Sequence, residues 1–247
     1  MKIDKYVFKR NEIKYKLTPL EYAKIIKEIE KRLSVDEYGE TTIQSLYYDT
    51  DTWLIIRNSI EKPFYKEKLR ARSYGLATPD KKVFLELKKK CDKVVFKRRI
   101  SITEKELAPF ISSGKGGDNG QIEKEIMYFC NFYSGVKPTI LLLYDRTAYY
   151  DYQLGTDLRI TFDKRIRYRT ERLDLCSGLD GKLLLPNGEV MMEIKTSYAY
   201  PTWLVNLLND NKIYKTSFSK YGTAYQLEMQ EKNEKQINYA YEGDKAV

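Results

Sequence analysis

The sequence predicts an α+β domain built on an antiparallel sheet or barrel, and three observations predict it. Apolar residues recur at period two in about eight segments, two helix starts carry capping boxes, and no internal repeat or linker divides the chain. The strand-like segments are Phe8 to Leu17, Ser45 to Tyr48, Tyr65 to Tyr74, Val83 to Lys90, Val94 to Ile102, Ile140 to Tyr152, Leu158 to Tyr168 and Glu189 to Thr196.

Helices fall between them. Thr18-Pro19-Leu20-Glu21 supplies a cap, a proline at the first helical position and a glutamate at the third, after which Ile25, Ile29 and Leu33 form an apolar stripe. Thr103 and Glu106 repeat the box for a helix reaching about Ser113. The glycine-rich 114–120 lacks the Gly-Lys-Ser/Thr of a phosphate loop and reads as a connection. Further helices are expected over Gln121 to Tyr133, Pro201 to Asn209 and Ser219 to Gln230. The chain reads as one domain over residues 1–230, followed by a polar, frayed tail over 231–247.

Composition narrows the chemistry. Among 247 residues there is no histidine, which excludes Ser-His-Asp and Cys-His catalysis and histidine-ligated zinc, leaving carboxylates, Lys, Arg, Tyr and Ser. Cys91, Cys130 and Cys176 are odd in number and lack Cys-x-x-Cys spacing, so neither a disulfide framework nor a thiolate metal site is expected. The apolar runs are too short to cross a bilayer and the first residues lack an export signal, so a cytosolic protein is expected. Lys and Arg number 44 against 35 Asp and Glu, a net charge of +9 that suits a polyanionic partner, a solvated lysine surface or lysine-rich codon usage.

Strand parity chooses among these. Arg10, Glu12, Lys14 and Lys16 share one side of the first strand, against Ile13, Tyr15 and Leu17. Lys68, Arg70 and Arg72 oppose Leu69 and Ala71; Glu86, Lys88 and Lys90 oppose Leu85 and Leu87; Lys97 and Arg99 oppose Phe96 and Ile100. Arg159, Thr161, Asp163, Arg165 and Arg167 oppose Ile160, Phe162, Ile166 and Tyr168, and Glu193 and Lys195 oppose Met192 and Ile194. Any single charged face is ordinarily a solvated one. Six such faces dominated by Arg and Lys point instead to a sheet closed with its charged sides inward, a wet cationic tunnel whose like charges require a multiply charged anion. The glutamates then suit a hard divalent ion, although Glu12 and Glu86 can equally pair with strand neighbours. Asp49 and Asp145 read as hydrogen-bond anchors. The 22 tyrosines, interleaved with basic residues, admit base stacking, but many lie on the apolar phase and read as barrel packing.

With these residues in place, the chain resembles the triphosphate tunnel metalloenzymes, the CYTH superfamily, and within it the catalytic domain of VTC-type polyphosphate polymerases. The resemblance runs from Arg10 to about Tyr225. It rests on Arg-Asn-Glu-Ile-Lys-Tyr at 10–15, Tyr-Tyr-Asp-Thr at 47–50, Lys-Leu-Arg-Ala-Arg at 68–72, Leu-Glu-Leu-Lys at 85–88 and Phe-Lys-Arg-Arg at 96–99. Tyr-Asp-Arg-Thr-Ala-Tyr at 144–149, Leu-Arg-Ile-Thr-Phe-Asp at 158–163, Met-Glu-Ile-Lys at 192–195 and Phe-Ser-Lys-Tyr at 218–221 complete it.

The resemblance implies an eight-stranded antiparallel barrel tunnel with helices outside and a C-terminal closing helix. It implies that Arg70, Arg72, Lys88, Arg146 and Arg159 act on the reacting phosphates, with Lys14, Lys97, Arg99, Lys195, Ser219 and Lys220 as further phosphate contacts. Glu193, Glu12 and Glu86 would hold Mn²⁺ or Mg²⁺. Where the wider superfamily begins Glu-x-Glu-x-Lys, this chain has Arg10-x-Glu12-x-Lys14, a departure resembling the VTC branch that removes one metal ligand.

The implied reaction passes the terminal phosphate of ATP to inorganic polyphosphate. Hydrolysis of inorganic or nucleoside triphosphate is the alternative enzyme, a non-catalytic polyphosphate sensor the alternative of another class, and RNA binding a weaker one. The expected partners are ATP or another triphosphate and polyphosphate, with no nucleic acid, and a membrane protein receiving the polymer.

Overall fold

A computed structural model describes residues 11–92, 94–113, 120–152 and 156–243, with side chains described as far as 236. Arg10 and most of the glycine-rich loop lie outside the described residues. In chain order the elements are β1 (Asn11–Leu17), α1 (Pro19–Glu30), β2 (Ser34–Val35), β3 (Thr41–Asp49), α2 (Leu54–Ile60), β4 (Tyr65–Tyr74), β5 (Lys82–Cys91) and β6 (Val94–Thr103). There follow a 3-10 turn (Glu104–Glu106), α3 (Leu107–Ser113), α4 (Gln121–Tyr133), β7 (Lys137–Tyr150), β8 (Arg159–Arg169), β9 (Lys182–Leu183), β10 (Val190–Thr196), α5 (Thr202–Asp210), β11 (Lys215–Thr216) and α6 (Lys220–Gly243).

The class is α+β, with one large antiparallel sheet and six helices. Its hydrogen-bonded order is β11-β1-β10-β8-β7-β3-β4-β5-β6, with β2 on β7 and β9 on β8. Three short strands therefore join the eight expected, and the path is open at β11 and β6 rather than closed. The described chain divides into two compact units of interleaved segments.

The first unit comprises residues 11–43, Leu143–Arg167 and Leu185–Phe218. Its core takes one parity from each of three strands: Tyr15 and Leu17 of β1, Ile160 and Phe162 of β8, and Met192 and Ile194 of β10. Ile25 and Ile29 of α1 and Leu204 and Leu208 of α5 cover that face, and each such fully buried side chain stabilises by ~1.5–3 kcal/mol. The predicted capping box starts α1, with Thr18 N donating to Glu21 Oε2 at 2.7 Å and Glu21 N to Thr18 Oγ1 at 3.3 Å. The charged parity of β1, β8 and β10 therefore lies on the face away from α1 and α5.

The second unit comprises Gln44–Leu142, Tyr168–Leu184 and the chain from Ser219. In β4 and β5 one parity, Leu69, Ala71, Val83, Leu85 and Leu87, is wholly buried. Phe110 of α3 and Ile126 and Phe129 of α4 are buried with them. The sequence reading missed α2, whose cap comes from a distance. Asp49 accepts from Ile55 N and Ile56 N, each at 2.9 Å, and Trp53 turns the chain with φ 58°. Helix α6 continues through 231–243 of the segment read as a tail, and 244–247 lie outside the described residues. Glu, Lys and Gln favour helix, Lys232 pairs with Glu228 one turn back, and Glu231 binds Lys182. Among the described residues no helix is long and apolar enough to cross a membrane.

Candidate functional site

In the first unit, register sets the charged face. Glu12 lies opposite Lys195 and Lys14 opposite Glu193 across β1 and β10, while Glu193 faces Thr161 and Lys195 faces Arg159 across β10 and β8. The sequence-predicted Glu12, Lys14, Arg159, Glu193 and Lys195 are thus brought together. Lys195 Nζ is 3.3 Å from Glu12 and 3.4 Å from Glu193, and Lys14 Nζ is 3.7 and 3.8 Å from the same two carboxylates. Lys14 also donates to Phe218 O at 3.1 Å.

Two arginines on this face differ in what they do. Arg146 donates to Asp163 from Nε at 2.6 Å and Nη2 at 2.8 Å, and Asp163 is wholly buried. Burial would lower its pKa, but Asp163 first, with Tyr144 and Glu193, holds it well above the ordinary arginine value. Arg159 instead lies over the Tyr150 ring, 4.7 Å from its centroid, and its buried Nε has no hydrogen-bond partner among the described residues. Thr161 Oγ1, one register step away, is likewise buried without one.

The parity reading fails beyond Asp163. Arg165 and Arg167 were expected beside Arg159, yet both donate to Asp145, Arg165 Nε at 2.7 Å and Arg167 Nη2 at 3.2 Å. Asp145 precedes Arg146 in β7, so its side chain takes the opposite face. Arg165 has φ 43°, a left-handed residue that breaks the alternation of β8 and turns the following arginine away.

In the second unit the charged residues of β4, β5 and β6 form transverse rows. Arg70, Glu86 and Arg99 make one, and Lys68, Lys88 and Lys97 the next. Glu86, 1% exposed, is the hub. It accepts from Arg70 Nε at 2.9 Å, Arg99 Nε at 2.8 Å and Lys97 Nζ at 2.8 Å, with Arg72 Nη1 at 4.0 Å. Burial alone would raise its pKa; Arg70, Arg72 and Lys97 instead hold it far below the carboxylate range. Its oxygens are thus engaged by cations, the partner role left open for it in the sequence.

Behind the rows stand two tyrosines the sequence did not single out. Tyr47 and Tyr221 stack at 4.3 Å, Arg70 Nη1 donates to Tyr47 Oη at 3.0 Å, and Tyr221 Oη donates to Asp49 at 2.8 Å. Lys68 Nζ lies 5.6 Å from the Tyr221 ring centroid. Tyr47 is buried, which would raise its pKa, yet the charges of Arg70, Lys68 and Arg72 and the Arg70 hydrogen bond bring it down to about 8. Ser219 begins α6 by accepting from Gly222 N at 3.1 Å, and Lys220 is the first residue of that helix. Both tyrosines were legible only as members of the Tyr-Tyr-Asp-Thr and Phe-Ser-Lys-Tyr motifs.

The donor set of the first unit fits a hard divalent ion. Glu12 and Glu193 converge on the same two ammonium groups, the position a cation between carboxylates takes, and Thr161 Oγ1 adds an unengaged oxygen. In the second unit Glu104, Asp174 and Cys176 also gather. There Asp174 already accepts from Cys176 N and Ser177 N, and burial, with Glu104 beside it, pushes the Cys176 thiol up to about 11. It is a hydrogen-bonded turn.

Among known proteins, the family model described as the VTC domain matches residues 9–229. No curated protein sequence matches. A candidate adenylate cyclase from Bacillus halodurans is similar in fold at 12% identity, covering 84% of this chain and 92% of its own, with a TM-score of 0.53. A candidate adenylyl cyclase from Hippeastrum with a dominant triphosphatase activity matches at 14% identity, covering 85% and 92%, with a TM-score of 0.49.

Proposed function

The chain belongs to the VTC domain family, and from that premise we propose that it is a polyphosphate polymerase, transferring the terminal phosphate of ATP to a growing inorganic polyphosphate. The observation that carries the reading is the row Lys68, Lys88 and Lys97, three ammonium-bearing residues abreast on adjacent strands, next to the row of Arg70 and Arg99. Like charges directly opposite one another destabilise a sheet. A polyanion lying along successive rows converts that repulsion into binding, and an extended phosphate chain matches the repeat better than a single phosphate.

In the transfer, the bond between the γ-phosphorus of ATP and its bridging oxygen breaks, a terminal oxygen of polyphosphate bonds to that phosphorus, and ADP leaves with the bridging oxygen. The accepting oxygen is already ionised near neutral pH, so no protein base is required, which suits a chain without histidine. Arg70, Arg72, Lys88, Lys97, Arg99, Ser219 and Lys220 bind and orient phosphates in the second unit. Lys14, Arg159 and Lys195 do so in the first, where Arg146 is held by Asp163. Glu86 aligns the guanidinium groups around it. Glu12 and Glu193 would hold Mn²⁺ or Mg²⁺, which when bound supplies charge neutralisation at phosphate oxygens.

Hydrolysis uses the same residues with water as acceptor, and the convergent Glu12 and Glu193 are what favour it as the second reading; a sensor would bind without turnover. Calorimetric titration with phosphate chains of increasing length tests the proposal. Affinity should rise from triphosphate to longer chains. Equal affinity for both would overturn the polymer reading.

A further inference from the structure

The ribbon of β4, β5 and β6 outruns its own core. On the apolar parity Leu69 and Leu87 are wholly buried; past the charged Glu67, Lys89 and Arg98 on that parity come Tyr65 of β4 and Val94 and Phe96 of β6, now 47%, 56% and 47% exposed. A solvated strand end ordinarily turns polar on both faces.

Neighbouring elements extend the patch. Phe64, 72% exposed, accepts through its carbonyl from Asp92 N at 2.7 Å, so it flanks the turn joining β5 to β6. Glu125 of α4 accepts from Lys89 and Arg98 at 3.3 and 3.2 Å, which fixes the helix against β5 and β6. One and two turns later α4 presents Tyr128 and Phe132, 69% and 65% exposed and stacked on each other at 6.1 Å. Tyr65 and Glu67 are within electrostatic reach of this helix, at Tyr128 and Tyr133.

The other parity at the same end carries Lys66 and Lys90, with the exposed Val95 opposite Lys90. Lys66 lies opposite Lys90, and burial followed by the charges of Lys90, Lys62 and Lys88 holds the Lys66 ammonium below the usual lysine value. Of the acidic groups nearby, Glu67 accepts from Tyr65 Oη and Glu125 from Lys89 and Arg98, while Asp92 in the turn and Glu61 beside Lys62 are exposed. Two faces of a ribbon meet at its end, so a surface approached end-on meets aromatic side chains and lysines together.

We propose that this end of the second unit, with Phe64, Val94, Phe96, Tyr128 and Phe132 set beside Lys62, Lys66 and Lys90, docks on the surface of an anionic lipid bilayer. Aromatic rings settle at the headgroup boundary while lysines extend to lipid phosphates, and peripheral attachment takes both signals together. Lysine is depleted from protein interfaces, so a lysine border with phenylalanine anchors fits lipid better than a protein partner.

The test is co-sedimentation of the full chain with phosphatidylcholine vesicles containing or lacking phosphatidylserine, in the presence of excess inorganic triphosphate to occupy the phosphate-binding rows. The chain should sediment with phosphatidylserine vesicles, and be released by high salt. Phe64→Ser with Phe132→Ser should weaken binding at least about tenfold while leaving circular dichroism unchanged, and Lys62→Glu with Lys90→Glu should remove the preference for phosphatidylserine. A chain that ignores every vesicle, as one docking on an acidic protein would, overturns the proposal. So does binding that the Phe64→Ser, Phe132→Ser variant retains in full.

Discussion

Arg146 grips Asp163 with two hydrogen bonds, 2.6 Å from Nε and 2.8 Å from Nη2, so on the charged face of the first unit it is the arginine committed to the protein's own carboxylate. Arg159, whose Nε meets no acceptor among the described residues, is the one left for a ligand.

Substitution should separate the two. Arg146→Ala leaves Asp163 buried without its bidentate partner and should destabilise the fold by about 3 kcal/mol. Arg159→Ala loses only its stacking on Tyr150 and should change stability by less than about 1 kcal/mol, while triphosphate binding falls at least about tenfold. Thermal melts with calorimetry check both. Equal losses of stability in the two variants would show that Arg159 is structural.

Glu86→Gln removes the buried carboxylate that engages Arg70, Arg72, Lys97 and Arg99. The folded state should weaken by about 3 kcal/mol. Because the Glu86 pKa is depressed on folding, its contribution is present above the ordinary glutamate value and lost as pH falls below it. Added inorganic triphosphate should raise the melting temperature of this variant more than that of the parent, since it replaces the missing negative charge. A variant as stable as the parent without ligand would remove Glu86 from the hub.

Tyr47 should ionise near pH 8, visible as tyrosinate absorbance that vanishes in Tyr47→Phe. Its folded value lies below the ordinary 10, so it adds no stability at pH 7, and the contribution grows as pH rises from about 8 towards 10. Bound triphosphate offsets the charges of Arg70 and Lys68 and should move this ionisation upward. No tyrosine titrating below the usual range would mean that the cationic rows do not reach Tyr47.

Glu193→Gln keeps the size and removes the charge. Nucleotide binding by the Arg and Lys side chains should persist, while metal-dependent turnover falls at least about a hundredfold. Near-normal metal-dependent activity would make Glu193 an ion-pair partner of Lys14, Lys195 and Arg146 and no metal ligand.

Much of this was legible from strand period. Lys14 with Glu193, and Arg70 with Glu86 and Arg99, share faces because alternation is local and the strands carry it without interruption. What interrupted the period escaped. The left-handed Arg165 took itself and Arg167 to Asp145, and nothing in Asp163-Lys164-Arg165 signals a bulge. The cap of α2 is Asp49, too far upstream of Ile55 for a local box. The engagement of Glu86 by flanking strands depends on register, which parity leaves open. The helix beyond Gln230 looked frayed because its partner Lys182 is distant in sequence.

The central claim is tested most directly by incubating the chain with ATP and Mn²⁺ and resolving the products by size. Long-chain polyphosphate accompanied by an equivalent amount of ADP per phosphate added is the result expected. Free phosphate as the sole phosphorus product beside the nucleotide, or no turnover at all, would contradict it.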